Sequence, residues 1–125
     1  MSAAVGLGFS STATAEAIAR VVRLALDRAQ KTEATLHTSV RKRDSETLKN
    51  AAQNLQMRLT FHEDSKLQDR AAEVVSHSPR IEALAGVGSL AEAAALAGAG
   101  ENARLIVEKF SLDGVSCAVA LASES

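Results

Sequence analysis

The chain has 125 residues, with 14 basic and 15 acidic side chains and a formal net charge of −1. This length predicts one domain with its own core, and the charge balance excludes a broadly basic surface for nucleic acid or an anionic membrane. Three Phe with no Tyr or Trp argue against aromatic base-stacking platforms. No apolar run approaches the roughly 18 residues of a membrane span, and no basic segment typical of a signal peptide opens the chain.

The first half of the chain alternates predicted strands with predicted helices. An apolar run at 3–9 predicts a buried strand. Apolar residues spaced by three and four over 14–30 predict an amphipathic helix that covers one face of a sheet. A second strand over 34–40, a helix from about Asp44 and a third strand over 57–62 follow.

The second half predicts the rest of an α/β fold. A polar helix over 63–73 is expected to lead into an irregular loop at 76–80, then a helix from Ser89. Two apolar strands around Asp113-Gly114 predict a hairpin. We therefore expect a three-layer α/β sandwich over a single domain 1–125, with a mixed sheet of about five strands, helices on both faces and a C-terminal hairpin.

The helix after residue 88 has a recognisable start. Ser89 and Glu92 have the spacing of a capping box, and the alanines that follow let a neighbouring element approach closely before Gly98 and Gly100 end the helix. Such a helix serves as core or packs on a second copy of the chain, as in a homo-oligomer.

Two glycine-containing segments are candidate anion sites. Gly86 and Gly88 precede the helix that begins at Ser89, so their amides are expected at the positive end of its dipole. The alternative is a close-packed loop. The second segment is predicted to be the turn from the first strand into the first helix. Its backbone amides and hydroxyls are candidates to hold a carboxylate or phosphate at Gly6, Gly8, Ser10, Ser11 and Thr12. Plain helix capping explains these hydroxyls equally well, and neither nucleotide-binding motif is complete.

Charged residues supply further candidates. Lys42 lies where the second strand ends, with Asp44 expected to cap the next helix and to orient the lysine; the alternative is a solvated charge run. Lys109, near the end of an apolar strand, must snorkel, pair or face a pocket. The Glu92 carboxylate either hydrogen-bonds within its own capping box or contacts a substrate.

The histidines and the cysteine predict no metal site and no cofactor. His37, His62 and His77 lack ligand spacing, and Cys117 is a single cysteine in an apolar strand, expected to be a buried thiol rather than a nucleophile. His62, followed by two acidic residues, is interpreted as a surface residue, with general-base work as the alternative. A single cysteine also favours a reducing, cytoplasmic location.

The order and spacing of these segments resemble the CobE proteins and the C-terminal domain of CbiG, from cobalamin biosynthesis. The resemblance covers nearly the whole chain, and the length is that of a stand-alone CobE. It departs where relatives commonly carry Arg-Arg-Gly and this chain has Ser10-Ser11-Thr12. The segments that carry it are Val5–Gly8 with Ala15–Ile18, Lys42–Asp44, Gly88–Leu96, Leu105–Lys109 and Ala118–Ala120.

The resemblance implies a cytoplasmic protein that binds a precorrin-type tetrapyrrole, a macrocycle fringed with carboxylates. If the protein is catalytic, the resemblance implies a hydrolase related to cobalt-precorrin 5A hydrolase, with Lys42, Asp44 and Lys109 as candidates. A non-catalytic carrier or chaperone that docks onto a precorrin methyltransferase or another cobalamin-biosynthesis enzyme is the alternative. A small-anion domain unrelated to cobalamin is a third reading.

Overall fold

The computed structural model describes residues 3–122 of the predicted domain 1–125; residues 1–2 and 123–125 lie outside the described part. Short 3-10 turns lie at Val40–Lys42 and Ala71–Glu73. The elements in chain order are β1 Ala3–Phe9, α1 Ala15–Ala29, β2 Ala34–Ser39, α2 Glu46–Leu55, β3 Leu59–His62, α3 Asp64–Gln68, α4 Pro79–Ala85, α5 Leu90–Ala99, β4 Ala103–Leu112 and β5 Val115–Ala122.

The sheet is mixed, as predicted, with strand order β3-β2-β1-β5-β4. β1 pairs parallel with β2, which pairs parallel with β3, while β5 runs antiparallel to both β1 and β4. The hairpin turn is confirmed at Asp113 and Gly114, whose φ angles of 54° and 78° are the positive pair that a tight two-residue hairpin needs.

Helices cover both faces of this sheet, which confirms the three layers. On one face, α1 and α2 pack against alternate β1 residues such as Val5 and Leu7, which are fully buried. On the other face, α5 lies across β1 and β5, with α3 beside it. Cys117 is buried in the first core, and burial raises the pKa of its thiol, so the packed cysteine is confirmed.

The approach of α5 to the sheet depends on small residues on both sides. A Cβ atom at Gly6 would lie 1.8 Å from the Ala91 carbonyl oxygen and 2.6 Å from the Ala95 nitrogen. Gly6 pairs with residues of both β2 and β5, so it belongs to a central strand. The prediction that Gly6 and Gly8 belong to a strand-to-helix turn is therefore wrong: both lie within β1, where Gly6 makes room for α5.

The start of α2 differs by one residue from the prediction. The Ser45 hydroxyl accepts a hydrogen bond from the Leu48 amide at 3.1 Å, and the helix begins at Glu46. Asp44 is exposed and lies before the cap, so the prediction that Asp44 caps this helix is wrong. Both residue types cap helices well, and the choice between adjacent candidates depends on where the preceding 3-10 turn ends.

The predicted helix over 63–73 is interrupted: α3 covers Asp64–Gln68, and a separate 3-10 turn covers Ala71–Glu73. The predicted loop over 76–80 extends only to Ser78, because α4 begins at Pro79. The chain leaves α3 at Arg70, whose guanidinium donates to the Leu96 and Gly100 carbonyls at 3.0 and 2.8 Å and so caps the C-terminal end of α5. A further helix, α4, then starts with Ser78 as cap and Pro79 in its first turn. Gly98 does not end α5; it lies inside the helix, which Gly100 terminates.

Within residues 3–122, no single helix is long and apolar enough to cross a membrane. The helices α4 and α5 reach the required length and composition only as a pair bent by 56°. The alanines of α5 are buried in the second core, which accounts for its apolar composition.

The close approach of α5 predicts that alanine substitutions at two glycines on one face of β1 will differ in their effect on stability. We expect Gly6→Ala to lower the free energy of unfolding by about 1–3 kcal/mol or more, since backbone atoms of α5 must move. Gly8→Ala should change it by less than about 1 kcal/mol, because the nearest atom to its new Cβ is 4.0 Å away. Urea unfolding measures both, and an equal loss in the two variants would contradict the close approach.

Candidate functional site

The carboxyl ends of β1, β2 and β3 meet at one edge of the sheet, because these three strands are parallel neighbours. Open α/β sheets commonly bind ligands at such an edge. The segments that follow the strands are the turn 10–14, the 3-10 turn Val40–Lys42 and the start of α3. An ion pair between Arg41 and Asp64, at 2.7 Å, joins two of these segments.

Lys42 follows β2, as predicted, and its side chain reaches the end of the neighbouring strand β1. Its Nζ atom donates to the Phe9 carbonyl oxygen at 3.0 Å and stands 4.5 Å from the centroid of the Phe9 ring. Among the described residues, no carboxylate pairs with Lys42, and Asp44 makes no hydrogen bond to it. Phe9 rather than Asp44 therefore positions a half-buried ammonium group that keeps N–H donors for a ligand.

The hydroxyls of the turn after β1 are exposed and do not cap α1. Thr14 is the cap, with its Oγ1 atom accepting from the Ala17 amide at 3.0 Å. Ser10 and Thr12 hydrogen-bond to each other at 3.1 Å, and the Ser10 amide donates to the Gly114 carbonyl. Helix capping thus fails to explain Ser10, Ser11 and Thr12, and these three hydroxyls remain available at the edge that holds Lys42.

Glu92 is fully buried and accepts four hydrogen bonds. The donors are the Val75 amide at 2.8 Å, and the Ser76 amide, the Ser76 hydroxyl and the Lys109 amide at 2.9 Å each. The expected capping box is half formed: the Ser89 hydroxyl accepts from the Glu92 amide, but the Glu92 carboxylate reaches these other donors instead. The contact of Glu92 with a substrate stays a prediction, one that this packing disfavours.

The Glu92 carboxylate stays ionised without a cation beside it. Burial alone would raise its pKa, but the hydrogen bonds from Lys109, Ser76 and Val75 outweigh burial and hold the pKa below its ordinary value of 4.5. The Lys109 amide is supplied by a β-bulge, because β4 has one residue more than β5 between Val107 and Phe110. The half-buried Lys109 side chain makes no hydrogen bond or ion pair with the described residues.

The loop before α5 is closely packed. Gly86 ends α4 with a φ of 77°, and its amide donates to the Glu82 carbonyl. A Cβ atom at Gly88 would lie 2.5 Å from the His77 Nδ1 atom. These contacts give both glycines a structural role, and the first turn of α5 carries the protein's own buried carboxylate, Glu92.

The sequence missed a pair of histidines at the candidate edge. His37 Nδ1 and His62 Nε2 are 2.9 Å apart, and His37 Nε2 is 2.7 Å from the Thr35 hydroxyl. His37 is buried beneath Gly98 of α5, where a Cβ atom would lie 2.5 Å from its ring. The signal that could have found the pair is alternation: Thr35, His37 and His62 lie on the same face of two parallel strands.

Burial keeps both imidazoles neutral. Desolvation, with a smaller contribution from His62, lowers the pKa of His37 from 6.5 to about 4. Desolvation also lowers the pKa of His62, which is half-buried. Over residues 3–122, no group of three or more His, Cys, Asp or Glu side chains is arranged to hold a metal ion.

Comparison with known proteins finds a family match over almost the whole chain. The model of the cobalamin synthesis G C-terminus matches residues 3–120. A crystal structure of CobE, a protein from the cobalamin (vitamin B12) biosynthetic pathway, is 30% identical with a TM-score of 0.90, covering 99% of this chain and 93% of that one. The cobalamin biosynthesis protein ChiG from Agrobacterium tumefaciens is 31% identical with a TM-score of 0.79, covering 98% and 99%.

A third structure supports the fold alone. It is a cobalamin biosynthesis protein G homologue from Sulfolobus solfataricus, 19% identical with a TM-score of 0.61, and the match covers all of this chain and 38% of that one. A search of curated proteins found no match.

The buried Glu92 network predicts a pH-dependent loss of stability. Glu92→Gln should lower the free energy of unfolding by about 2 kcal/mol or more at neutral pH, because an amide nitrogen would face N–H donors. The folded pKa lies below 4.5, so the ionised carboxylate stabilises the fold above that pH, and the stabilisation is lost as the pH falls through the folded pKa.

Urea unfolding between neutral pH and about pH 3 measures this effect. The difference in the free energy of unfolding between wild type and Glu92→Gln should become smaller at acid pH. The matched control is Glu108→Gln, which removes an exposed carboxylate from β4 and should stay close to wild type at every pH. A difference in the free energy of unfolding that stays constant down to the lowest pH would contradict an ionised Glu92.

Proposed function

Because the chain belongs to the family of the cobalamin synthesis G C-terminus, a family of cobalamin biosynthesis, we propose that it binds a precorrin-type tetrapyrrole at the carboxyl edge of β1, β2 and β3. A tetrapyrrole of this type carries acetate and propionate groups around its rim. Its recognition therefore requires several separated donors for carboxylates rather than one deep charged pocket.

The observation that carries this proposal is the placement of Lys42. Its ammonium group is held by the Phe9 carbonyl at the end of β1, the middle strand of the sheet, and has no carboxylate partner among the described residues. A cation fixed in this way is pre-organised for an incoming carboxylate. Ser10, Ser11 and Thr12 provide neutral hydroxyl donors on the turn that follows Phe9, exposed to solvent.

The other residues predicted to bind the ligand have structural work. Gly6 pairs with residues of both β2 and β5, and Gly8 pairs with Ser116 of β5, so both glycines lie in the sheet rather than in an open loop. Gly86 and Gly88 form a packed loop, and Ser89 caps α5. The proposed contacts with the ligand are therefore those of Lys42 and the hydroxyl turn.

We favour carriage of the tetrapyrrole over its chemical conversion. The three predicted acid–base candidates, Lys42, Asp44 and Lys109, make no hydrogen bonds with one another among the described residues. A hydrolase-like step is the second candidate, because the resemblance to CbiG implies it. Transfer to a precorrin methyltransferase, a cytoplasmic location and self-association remain predictions.

Cobyrinic acid, a stable corrin with free carboxylates, tests the binding proposal by absorbance or fluorescence titration. Lys42→Ala should weaken its affinity by about tenfold or more, the cost of one charge-assisted hydrogen bond. Lys49→Ala is the matched control, since Lys49 is an exposed lysine on the neighbouring helix α2. The control should bind as wild type does.

Cobyric acid, in which most of these carboxylates are amides, separates charge recognition from binding of the ring. We expect it to bind more weakly than cobyrinic acid, and to respond little to Lys42→Ala. Equal affinity of wild type and Lys42→Ala for cobyrinic acid would remove Lys42 from the site. No binding of cobyrinic acid by wild type would overturn the proposed function.

Single-turnover incubation with a precorrin intermediate distinguishes carriage from catalysis. A carrier binds the intermediate with a change in its absorbance spectrum and releases it at unchanged mass. We expect this result, because the candidate acid–base groups are not assembled. A product whose mass differs by water or by a lost fragment would support the hydrolase instead.

A further inference from the structure

We propose that His62 presents a neutral Nδ1–H group at the carboxyl edge of the sheet and donates it to a second carboxylate of the ligand, with His37 and Thr35 as positioning residues. This inference rests on the proposed function for the identity of the ligand. The direction of the donor rests on the hydrogen-bond chain Thr35–His37–His62 alone.

The direction of the chain follows from its inner end. A hydroxyl has one hydrogen to donate, and the half-buried Thr35 holds its hydroxyl against the buried ring of His37. Among the described residues, the Thr35 hydroxyl has a hydrogen-bond contact only with His37 Nε2, at 2.7 Å. Donation from Thr35 to His37 Nε2 satisfies this hydroxyl within the protein, whereas the opposite direction leaves its hydrogen to solvent alone.

The tautomers of both rings then follow in sequence. A neutral His37 that accepts at Nε2 carries its proton on Nδ1 and donates it to His62 Nε2, 2.9 Å away. A neutral His62 that accepts at Nε2 carries its proton on Nδ1. The lowered pKa values of both histidines support the neutral forms that this argument requires. The outer nitrogen of His62, Nδ1, is thus an N–H donor. A carboxylate can accept a hydrogen bond from it, whereas a second N–H group cannot.

The position of His62 suits a ligand that also reaches Lys42. His62 is the last residue of β3 and pairs with Ser39, after which the 3-10 turn carries the chain to Lys42. Since β1 and β3 are two strands apart, about 10 Å separates their ends, a distance suited to two rim carboxylates of one macrocycle. Of the two acidic residues that follow His62, Asp64 is ion-paired with Arg41, which limits its repulsion of an incoming anion. Glu63 is exposed, so solvent screens its charge.

Nitrogen NMR tests the donor without any ligand. At neutral pH, ¹⁵N shifts should show a protonated Nδ1 and an unprotonated Nε2 for His62 in wild type. Thr35→Val removes the hydroxyl that sets the direction while keeping side-chain volume, and should shift His62 toward a mixture of tautomers. A wild-type His62 protonated at Nε2 would overturn the inference whatever the protein binds.

Titration with cobyrinic acid tests the contact itself. His62→Ala should weaken binding by about tenfold, and His62→Asn should restore most of the affinity, because the Asn amide nitrogen stands where Nδ1 was. His77→Ala is the control, since His77 is exposed on the loop before α4.

The possible results separate the two proposals. Equal binding by wild type and His62→Ala, with Lys42→Ala still weakened, would overturn the contact of His62 and leave the proposed function standing. If wild type does not bind cobyrinic acid, both the proposed function and the contact of His62 with the ligand are overturned. A His62→Asn variant no better than His62→Ala would contradict a donor role for Nδ1.

Discussion

The rest of the structure depends on one buried carboxylate. Glu92 draws its four donors from the loop at Val75–Ser76 and from a bulge in β4, while its own backbone starts α5. Because a buried carboxylate without these donors would be strongly destabilising, the three segments are fixed relative to one another. The N-terminal end of the α5 dipole adds favourable interaction with the same charge. An intrinsic anion thus occupies the neighbourhood where the glycine loop suggested an external one.

The fixed position of α5 determines the chemistry of the sheet face beneath it. The helix lies directly on Gly6, and its last turn covers His37, so a polar stretch of β2 becomes buried. The burial removes water from His37 and leaves Thr35 and His62 as its partners. A helix built of larger residues could not approach so closely, and the histidine pair would be solvated. The alanines therefore shape the electrostatics of the edge as well as the core.

The sequence predicted those features that depend on residues close together in the chain. The period of α1 and the Asp113-Gly114 turn are local properties, and both are observed. The role of Gly6 and the partners of Glu92 depend on segments many residues away, so no local pattern contains them. The candidate edge shows the same difference. That Lys42 follows a strand can be predicted from the local sequence, whereas the hydrogen bond between His37 and His62 can be predicted only from the register of β2 and β3.

The candidate edge relies on placement more than on charge. Lys42, which has no carboxylate partner among the described residues, is accompanied by the neutral hydroxyls of residues 10–12 and by the neutral imidazole of His62, while Arg41 is already paired with Asp64. Long-range attraction of an anion is weak for a chain with a net charge of −1. Neutral donors act over short distances and require alignment. In the function proposed above, such a set discriminates among carboxylates by their spacing around the rim of the ligand.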